Sequence, residues 1–436
     1  MLTAMPIRIS KISSPTANRC CGLQPDMMHA PNHLAQSPAA KAGMETITIC
    51  FPLAGDTIGG SHVSLRGLIQ DLDPARFRII VVPEVPDGKI ATFFEKFEQI
   101  ADPARPAVSF VPNERFNLAK FGSTIAGAPL RMSFLRKQDV DIVHTNDGRT
   151  HATWAVPARL AGAALLWHHR GDPGALGLRL LAPALASKVL TVSRFSLPKA
   201  KIWSAAHKAD VVFSPFDTSL TANREAARRQ VITKADLPDD ALILGYFGSI
   251  IDRKRPLLFV DTVAELRRRI TRPVYGLIFG EAESPAMEQS LQKHIIRSGM
   301  QDHIRMMGYC TPGHEWIAGC DQLIVPAVGE PLGRTLVEAM LVRTPVVATR
   351  SGGNPEALFD DAGYLVEPES PVALADGVME SLSNPAQTAA MVDRAERSSR
   401  ERFSRQRHVT SVINVYEELV RLRRRPRAKT EFWPKG

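Results

Sequence analysis

The feature that most constrains this chain is a recurring unit: a short, nearly continuous apolar run followed by an amphipathic stretch of helical period. In the first half the runs are TITICF (Thr46–Phe51), RIIVVP (Arg78–Pro83), AVSFV (Ala107–Val111), DIVH (Asp141–His144), ALLW (Ala164–Trp167) and KVLTVS (Lys188–Ser193). In the second they are LILGYF (Leu242–Phe247), VYGLIF (Val274–Phe279), QLIVP (Gln322–Pro326), PVVA (Pro345–Ala348) and GYLV (Gly363–Val366). A strand with one wet face alternates apolar and polar residues, whereas a parallel strand covered by helices on both faces is apolar along its length. The pattern therefore predicts an α/β chain with parallel sheets, and two series of runs predict two doubly wound domains. Ligands of such sheets bind beyond the carboxyl ends of the strands, so two domains facing each other through those loops enclose a cleft.

A chain of 436 residues suits two domains, and a 44% apolar fraction is enough for a sizeable core. Residues 1–43 are rich in Ser, Pro and Ala, with Asp26 as their one acid, and show no periodic pattern. Their basic character is transit-peptide-like but lacks a secretory apolar core. We expect a disordered extension there, with the fold starting at Met44. The expected divisions are a first domain over 44–217, a polar linker over 218–240, a second domain over 241–403, a C-terminal helix over 404–425 and a basic tail over 426–436. In SRQRHVTSVINVYEELVRLRRR the residues Val409, Val412, Ile413, Tyr416 and Leu419 fall on one helical face, which predicts a core-packing or domain-bridging helix.

Net charge is +9, but RLRRRPRAK (Arg421–Lys429) holds six basic residues and no acid; without it the charge falls to +3. The folded body is thus not strongly basic, and no nucleic-acid partner is expected. The tail by itself suits a solvated end or contact with anionic lipid or nucleic acid, of which a membrane surface is the partner expected. Cys20, Cys21, Cys50, Cys310 and Cys320 have no metal-ligand or CxxC spacing, which points to a reducing, cytoplasmic compartment. No apolar run reaches the ~20 residues that a spanning helix needs.

The stretch GEPLGRTLVEAM (Gly329–Met340) holds the densest chemistry. Glu330 follows the strand QLIVP in a loop, and Gly333 opens a helix that ends before Pro345. The amides of Gly333, Arg334 and Thr335 are first-turn donors without intrahelical acceptors, and the helix dipole adds positive potential. A phosphate fits there, and glycine lets it come close to the backbone. Glu338 lies roughly 7 Å further along the axis. Two acids flanking one diphosphate site would suit a nucleotide sugar, with a sugar hydroxyl at Glu330 and a ribose hydroxyl at Glu338.

The longer run GEPLGRTLVEAMLVRTPVVATRSGGNPEAL (Gly329–Leu358) closely resembles the signature of retaining GT-B glycosyltransferases of family 4, glycosyl transferases group 1. The likeness extends over nearly all of Met44–Arg424, through GGSHVSLRGLIQDL (Gly59–Leu72), DVDIVHTND (Asp139–Asp147), LASKVLTVSRFS (Leu185–Ser196) and GYFGSIIDRKRP (Gly245–Pro256). It implies a GT-B architecture of two Rossmann-like domains, acceptor-side first and nucleotide-sugar-binding second. It further implies that Glu330 contacts donor-sugar hydroxyls near the reacting centre, that Glu338 holds the ribose, and that Lys254 neutralises the departing diphosphate. The family commonly has an arginine after the glycine of the first strand-loop of the second domain; here Ser249 follows Gly248, and Arg253 or Arg255 is the substitute.

In the first domain Gly59 and Gly60 would let the backbone approach the donor. Where the family often has a second histidine after this strand, the chain has Asn146, which keeps a hydrogen-bonding role without proton transfer. Asp147, Arg149, His168, His169 and Arg170 are candidates for the acceptor side.

The reaction implied is transfer of a hexosyl group, with retention, from a nucleoside diphosphate sugar to a hydroxyl of a glycan or lipid-linked acceptor in polysaccharide or glycoconjugate assembly. The transition state is oxocarbenium-like. No metal and no cofactor beyond the donor substrate is expected, and a nucleophilic carboxylate is not evident in the first half, leaving same-face attack open. The run LRMSFLRK (Leu130–Lys137) and the tail suit peripheral contact with the inner face of the plasma membrane, while a small soluble acceptor suits the cleft equally. A sugar-nucleotide epimerase of the same fold and a non-catalytic binding protein are the alternatives. A nicotinamide dehydrogenase is excluded, since GDTIGGSHVSLRG (Gly55–Gly67) is not a G-x-G-x-x-G turn.

Overall fold

The computed structural model describes residues 46–104 and 126–424. The candidate strand Ala107–Val111, residues 1–43 and the basic tail over 426–436 lie outside the described residues. The first sheet contains β1 (Ile47–Leu53), β2 (Phe77–Pro83), β3 (Ile142–Thr145), β4 (Ala164–His169), β5 (Lys188–Thr191) and β6 (Ala209–Val211), in the order β2-β1-β3-β4-β5-β6. The second contains β7 (Leu242–Phe247), β8 (Val274–Phe279), β9 (Ile304–Gly308), β10 (Gln322–Val325), β11 (Val346–Thr349) and β12 (Tyr364–Val366), in the order β12-β11-β10-β7-β8-β9. All pairings between these strands are parallel. The GT-B expectation of two Rossmann-like sheets is met.

Apolar runs dominate because both faces are covered. Every residue of β1, β4, β7, β10 and β11 is buried. At roughly 25 cal/mol per Å² of apolar surface removed from water, these strands and the helices over them supply most of the favourable free energy of each half. Two strands escaped the sequence reading, and both are edge strands of mixed polarity: β6 has no fully buried residue, and β9 has one, Ile304.

Strand order reverses direction between β1 and β3 in the first sheet and between β7 and β10 in the second. At each reversal the two neighbouring strands feed loops that turn away on opposite faces, which leaves a crevice at their carboxyl ends. Around the first crevice lie the starts of the Gly60–Gln70 and Gly148–Ala161 helices; around the second lie those of the Pro256–Arg269 and Arg334–Leu341 helices.

The chain crosses between the halves twice. The stretch 218–240, expected as a linker, is instead largely the Arg224–Ala235 helix, whose Ala227, Val231 and Ala235 sit in the second half's core. The first crossing is therefore near Phe216, whose amide donates to the Phe403 carbonyl at 2.9 Å. Phe403 marks the second crossing, where the Pro385–Arg402 helix of the second half gives way to the Arg405–Arg424 helix. That last helix returns to the first half: Val409, Val412, Val415, Tyr416, Leu419 and Val420 are buried with β1 and β3 residues.

The Leu130–Lys137 run is divided between core and solvent, with Leu130, Arg136 and Lys137 exposed. Within the Ala128–Lys137 helix, Phe134 and Leu135 belong to the first half's core, and Arg131 forms a buried ion pair with Asp102 at 2.8 Å. Among the described residues no helix is long and apolar enough to cross a membrane.

Candidate active site

The second-half crevice is built by three loops. After β7 the chain passes Gly248 and a single 3-10 turn, Asp252–Lys254, before Arg255 takes a left-handed conformation (φ 51°) and the next helix starts at Pro256. After β10 it forms the Gly329–Glu330–Pro331 loop, and after β11 the Ser351–Gly352–Gly353 turn. The loops are pinned together: Val328 N–H donates to Arg253 O at 2.9 Å, Gly353 N–H to Glu330 O at 2.7 Å, and Gly329 N–H to Ser351 Oγ at 3.1 Å. Glu330 is thus held by its own backbone, so its carboxylate has a fixed address.

Lys254 lies folded under Gly248. A Cβ on that glycine would sit 2.3 Å from Lys254 Nζ, and the backbone there has φ +128°. Side chains larger than hydrogen are excluded twice over, by the lysine and by the torsion. The lysine's pKa is pushed down, chiefly by burial and also by Arg253, while the Glu330 and Glu338 carboxylates act to raise it. Both acids of the motif therefore act electrostatically on one ammonium group. Arg253 forms an ion pair with Glu330, with Arg253 41% exposed and Glu330 only 13%. The arginine is the more exposed partner and the carboxylate the more buried one. Of the two arginines expected as a substitute, Arg253 faces the site; Arg255 is turned to Asp252 at 2.8 Å and Glu369 at 2.7 Å.

The helix proper runs Arg334–Leu341, with Gly333 as its N-cap and no side chain bonded to it. Leu336, Val337, Ala339, Met340 and Leu341 are buried and fix its axis, leaving the first-turn amides of Arg334 and Thr335 toward the crevice mouth. Burial raises the pKa of Glu338, opposed by Arg334, His314 and Lys254.

Arg334 does more than its backbone position predicts. Its side chain leaves the second half: Nη1 donates to Ser64 Oγ at 3.1 Å and to the Pro215 carbonyl at 3.4 Å, and the guanidinium lies 4.2 Å from the centroid of the Phe216 ring. A Cβ on Gly60 would come within 2.9 Å of Arg334 Cδ, whereas one on Gly59 would meet nothing within 4 Å. The close approach of the two halves is therefore at Gly60, and it is to a side chain. A second tie is Glu356, whose carboxylate accepts the amides of Arg194 and Phe195 at 2.6 and 2.7 Å.

On the first-half wall the candidates divide. Asp147 caps the Gly148–Ala161 helix, its Oδ1 accepting the amides of Arg149 at 2.9 Å and Thr150 at 3.0 Å, so its charge is committed to the helix start. The Arg149 guanidinium lies against Gly55, where a Cβ would be 2.1 Å from Nη2. His169 holds its own turn through Nε2 and the Asp172 carbonyl at 2.8 Å. His168 is wholly buried in a chain of neutral groups: Tyr416 Oη and His144 Nδ1 are 2.7 Å apart, and His144 Nε2 and His168 Nδ1 are 3.1 Å apart. Burial drives both imidazoles well below their usual pKa, so neither carries charge at neutral pH. Arg170 and Asn146 stand at the crevice, with Arg170 Nη2 3.4 Å from Asn146 Oδ1. His62, on the first turn after Gly60, also belongs to this wall. Burial lowers its pKa, Asp147 opposes this, and Arg170 and Arg149 reinforce it. Sequence reasoning missed His62 because a lone histidine in a GGSH turn has no spacing signature.

Residues 227–398 match the family model for glycosyl transferases group 1. D-inositol 3-phosphate glycosyltransferase of Streptomyces coelicolor is 32% identical over 46% of this chain and 45% of its own length. The lipopolysaccharide core biosynthesis mannosyltransferase LpcC of Rhizobium leguminosarum is 28% identical over 43% of this chain and 54% of its own. The chain thus spans about half the length of the curated relatives it matches. Among solved structures, Anabaena Alr3699/HepE in complex with UDP and glucose shares the fold, with TM-score 0.70 at 19% identity over 85% of this chain and 99% of that one.

Proposed function

With residues 227–398 belonging to glycosyl transferases group 1, we propose that the chain is a retaining glycosyltransferase that moves a hexosyl group from a nucleoside diphosphate sugar to an acceptor hydroxyl. The observation that carries the reading is Lys254, held under Gly248 at the second sheet's strand reversal, where the Glu330 and Glu338 carboxylates both act on its charge. In this reading the donor diphosphate rests on the amides of Arg334 and Thr335, with Lys254 beside it. The developing negative charge on the leaving group is met by a lysine whose desolvated ammonium gains a counter-ion as the bond breaks. Glu330 exchanges its ion pair with Arg253 for the donor sugar's hydroxyls, which frees Arg253 for the phosphates. Glu338 takes the ribose, and Asn146 orients the sugar from the opposite wall. The solved relative that binds UDP and glucose supports a nucleotide sugar as donor.

The acceptor enters from the first-half wall, between Gly60, Asn146 and Arg170. The curated relatives' names point to glycoconjugate assembly, one through an inositol phosphate and one through a lipopolysaccharide core, and we place this chain's acceptor among glycans or lipid-linked glycans. Screening nucleotide sugars and free UDP and GDP for protection against thermal unfolding tests the donor half. A rise in Tm with one nucleoside diphosphate and its sugar, lost in Lys254→Ala, is the expected result. No protection by any of them would end the proposal.

A further inference from the structure

Arg170 is a cation without a matching anion. Its Nη1 donates to Ser214 Oγ at 3.0 Å, and Nη2 lies 3.4 Å from both Asn146 Oδ1 and His168 Nδ1. Every one of these partners is neutral, and Nε is buried with no partner at all. Among the described residues no carboxylate pairs with it.

A second cation close by makes the imbalance worse. Ser214, which holds Arg170, is followed in the chain by Pro215, whose carbonyl accepts from Arg334. Two guanidiniums, one from each half, are thereby moored to consecutive residues of the crossing segment. Among the described residues the carboxylate that pairs with Arg334 is Glu338, at a loose 3.9 Å. Asp147 is already committed to a helix start. Burial pushes the pKa of Arg170 down to about 9, and the Arg334 charge acts in the same direction. A poorly hydrated charge held beside a like charge is costly unless a counter-ion completes the site.

The donor's diphosphate is not that counter-ion in the reading given above, since Lys254 and Arg253 serve it within the second half. The missing anion is on the acceptor side. Guanidinium groups bind phosphate and carboxylate through paired N–H donors, and Arg170 still has an unused donor at Nε. We propose that Arg170 and Arg334 form an oxyanion subsite for the acceptor, so that the acceptor substrate carries a phosphate or carboxylate group in addition to the hydroxyl that is glycosylated. This rests on the cleft being a glycosyl-transfer site. It narrows the acceptor from any glycan to an acidic one.

The test is calorimetric titration of inorganic phosphate, and in parallel of acetate, into the full chain saturated with UDP or GDP. Expected are binding of phosphate with nucleotide present, at least tenfold weakening in Arg170→Gln, a smaller loss in Arg170→Lys, and no change in nucleotide affinity in either. Acetate binding with the same dependence on Arg170 assigns the subsite to carboxylates as well; phosphate alone restricts it to phosphate. The proposal is overturned if phosphate does not bind, binds equally to Arg170→Gln, or is displaced by the nucleotide, which would place it on the diphosphate site. Thermal melts check folding, and if Arg170→Gln is unfolded, Arg170→Lys and Arg334→Gln supply the comparison. If neither nucleotide binds but phosphate binding still depends on Arg170, the donor reading fails and the anion subsite stands.

Discussion

Gly248→Ala tests the site through a residue that touches no substrate. The new methyl would be 2.3 Å from Lys254 Nζ, far inside contact distance, and the obstacle is the end of a flexible side chain. The lysine yields before the backbone does, so the ammonium leaves the position in which Glu330 and Glu338 act on it. A hydrogen bond to a charged group contributes about 1.5–3 kcal/mol, which predicts roughly 10- to 150-fold weaker UDP or GDP binding by calorimetry. The φ of +128° adds strain of about 1–3 kcal/mol to the folded state, seen as a lower urea midpoint. The cycle with Lys254→Ala discriminates. If the alanine acts by evicting the lysine, the double variant binds nucleotide as weakly as Lys254→Ala alone. Additive losses, or wild-type affinity in Gly248→Ala, would refute the argument.

Glu330→Gln should lower transfer by about a hundredfold or more while leaving the melting curve nearly unchanged; a collapse in Tm would make the residue structural. Transfer should proceed at the same rate in excess EDTA, and a requirement for added Mg²⁺ or Mn²⁺ would contradict the role given to Lys254. Removing the carboxylate in Glu356→Ala should cost about 1–3 kcal/mol in urea unfolding, since it ends two bonds to the Arg194 and Phe195 amides; no change would mean that this tie is idle. Burial lowers the His408 pKa to about 3, so unfolding takes up a proton between that value and the ordinary 6.5. Stability should be fully present above about pH 6.5 and fall as pH drops toward 3, by up to about 1.4 kcal/mol per pH unit for this group. His408→Gln should flatten that slope by about one proton, and an unaltered slope would exonerate His408.

Much of the frame was legible because buried parallel strands write themselves as apolar runs. Glu330, Gly333 and Glu338 were legible as a group because a strand, a loop and a helix start must follow one another at short spacing to present them; Lys254, on a loop far earlier in the chain, was added only by the family resemblance. Contacts between the halves were not legible. Arg334 reads as one more residue of a helix start; only the packing shows its guanidinium lying against Phe216 and bonding Ser64. Glu356 likewise reads as part of the motif's tail, although its partners are backbone amides of Arg194 and Phe195, far away in sequence. The Asp147 cap did have a local signature, an acid three residues before Thr150, and a helix-start reading would have found it. His168 misled for the opposite reason: a polar residue at a strand end suggests exposure, yet β4 is buried to its last residue.

The return of the Arg405–Arg424 helix to the first sheet bears on how the protein is made. Chains emerging from the ribosome usually fold their leading domain first. Here the leading domain lacks Val412, Tyr416 and their neighbours until the second half has been translated. Its apolar face beside β1 and β3 stays open meanwhile, a surface for chaperones or for misassembly. The trailing domain, whose layers close at Phe403, has what it needs sooner. The core of the first half is thus completed by residues made after those of the second.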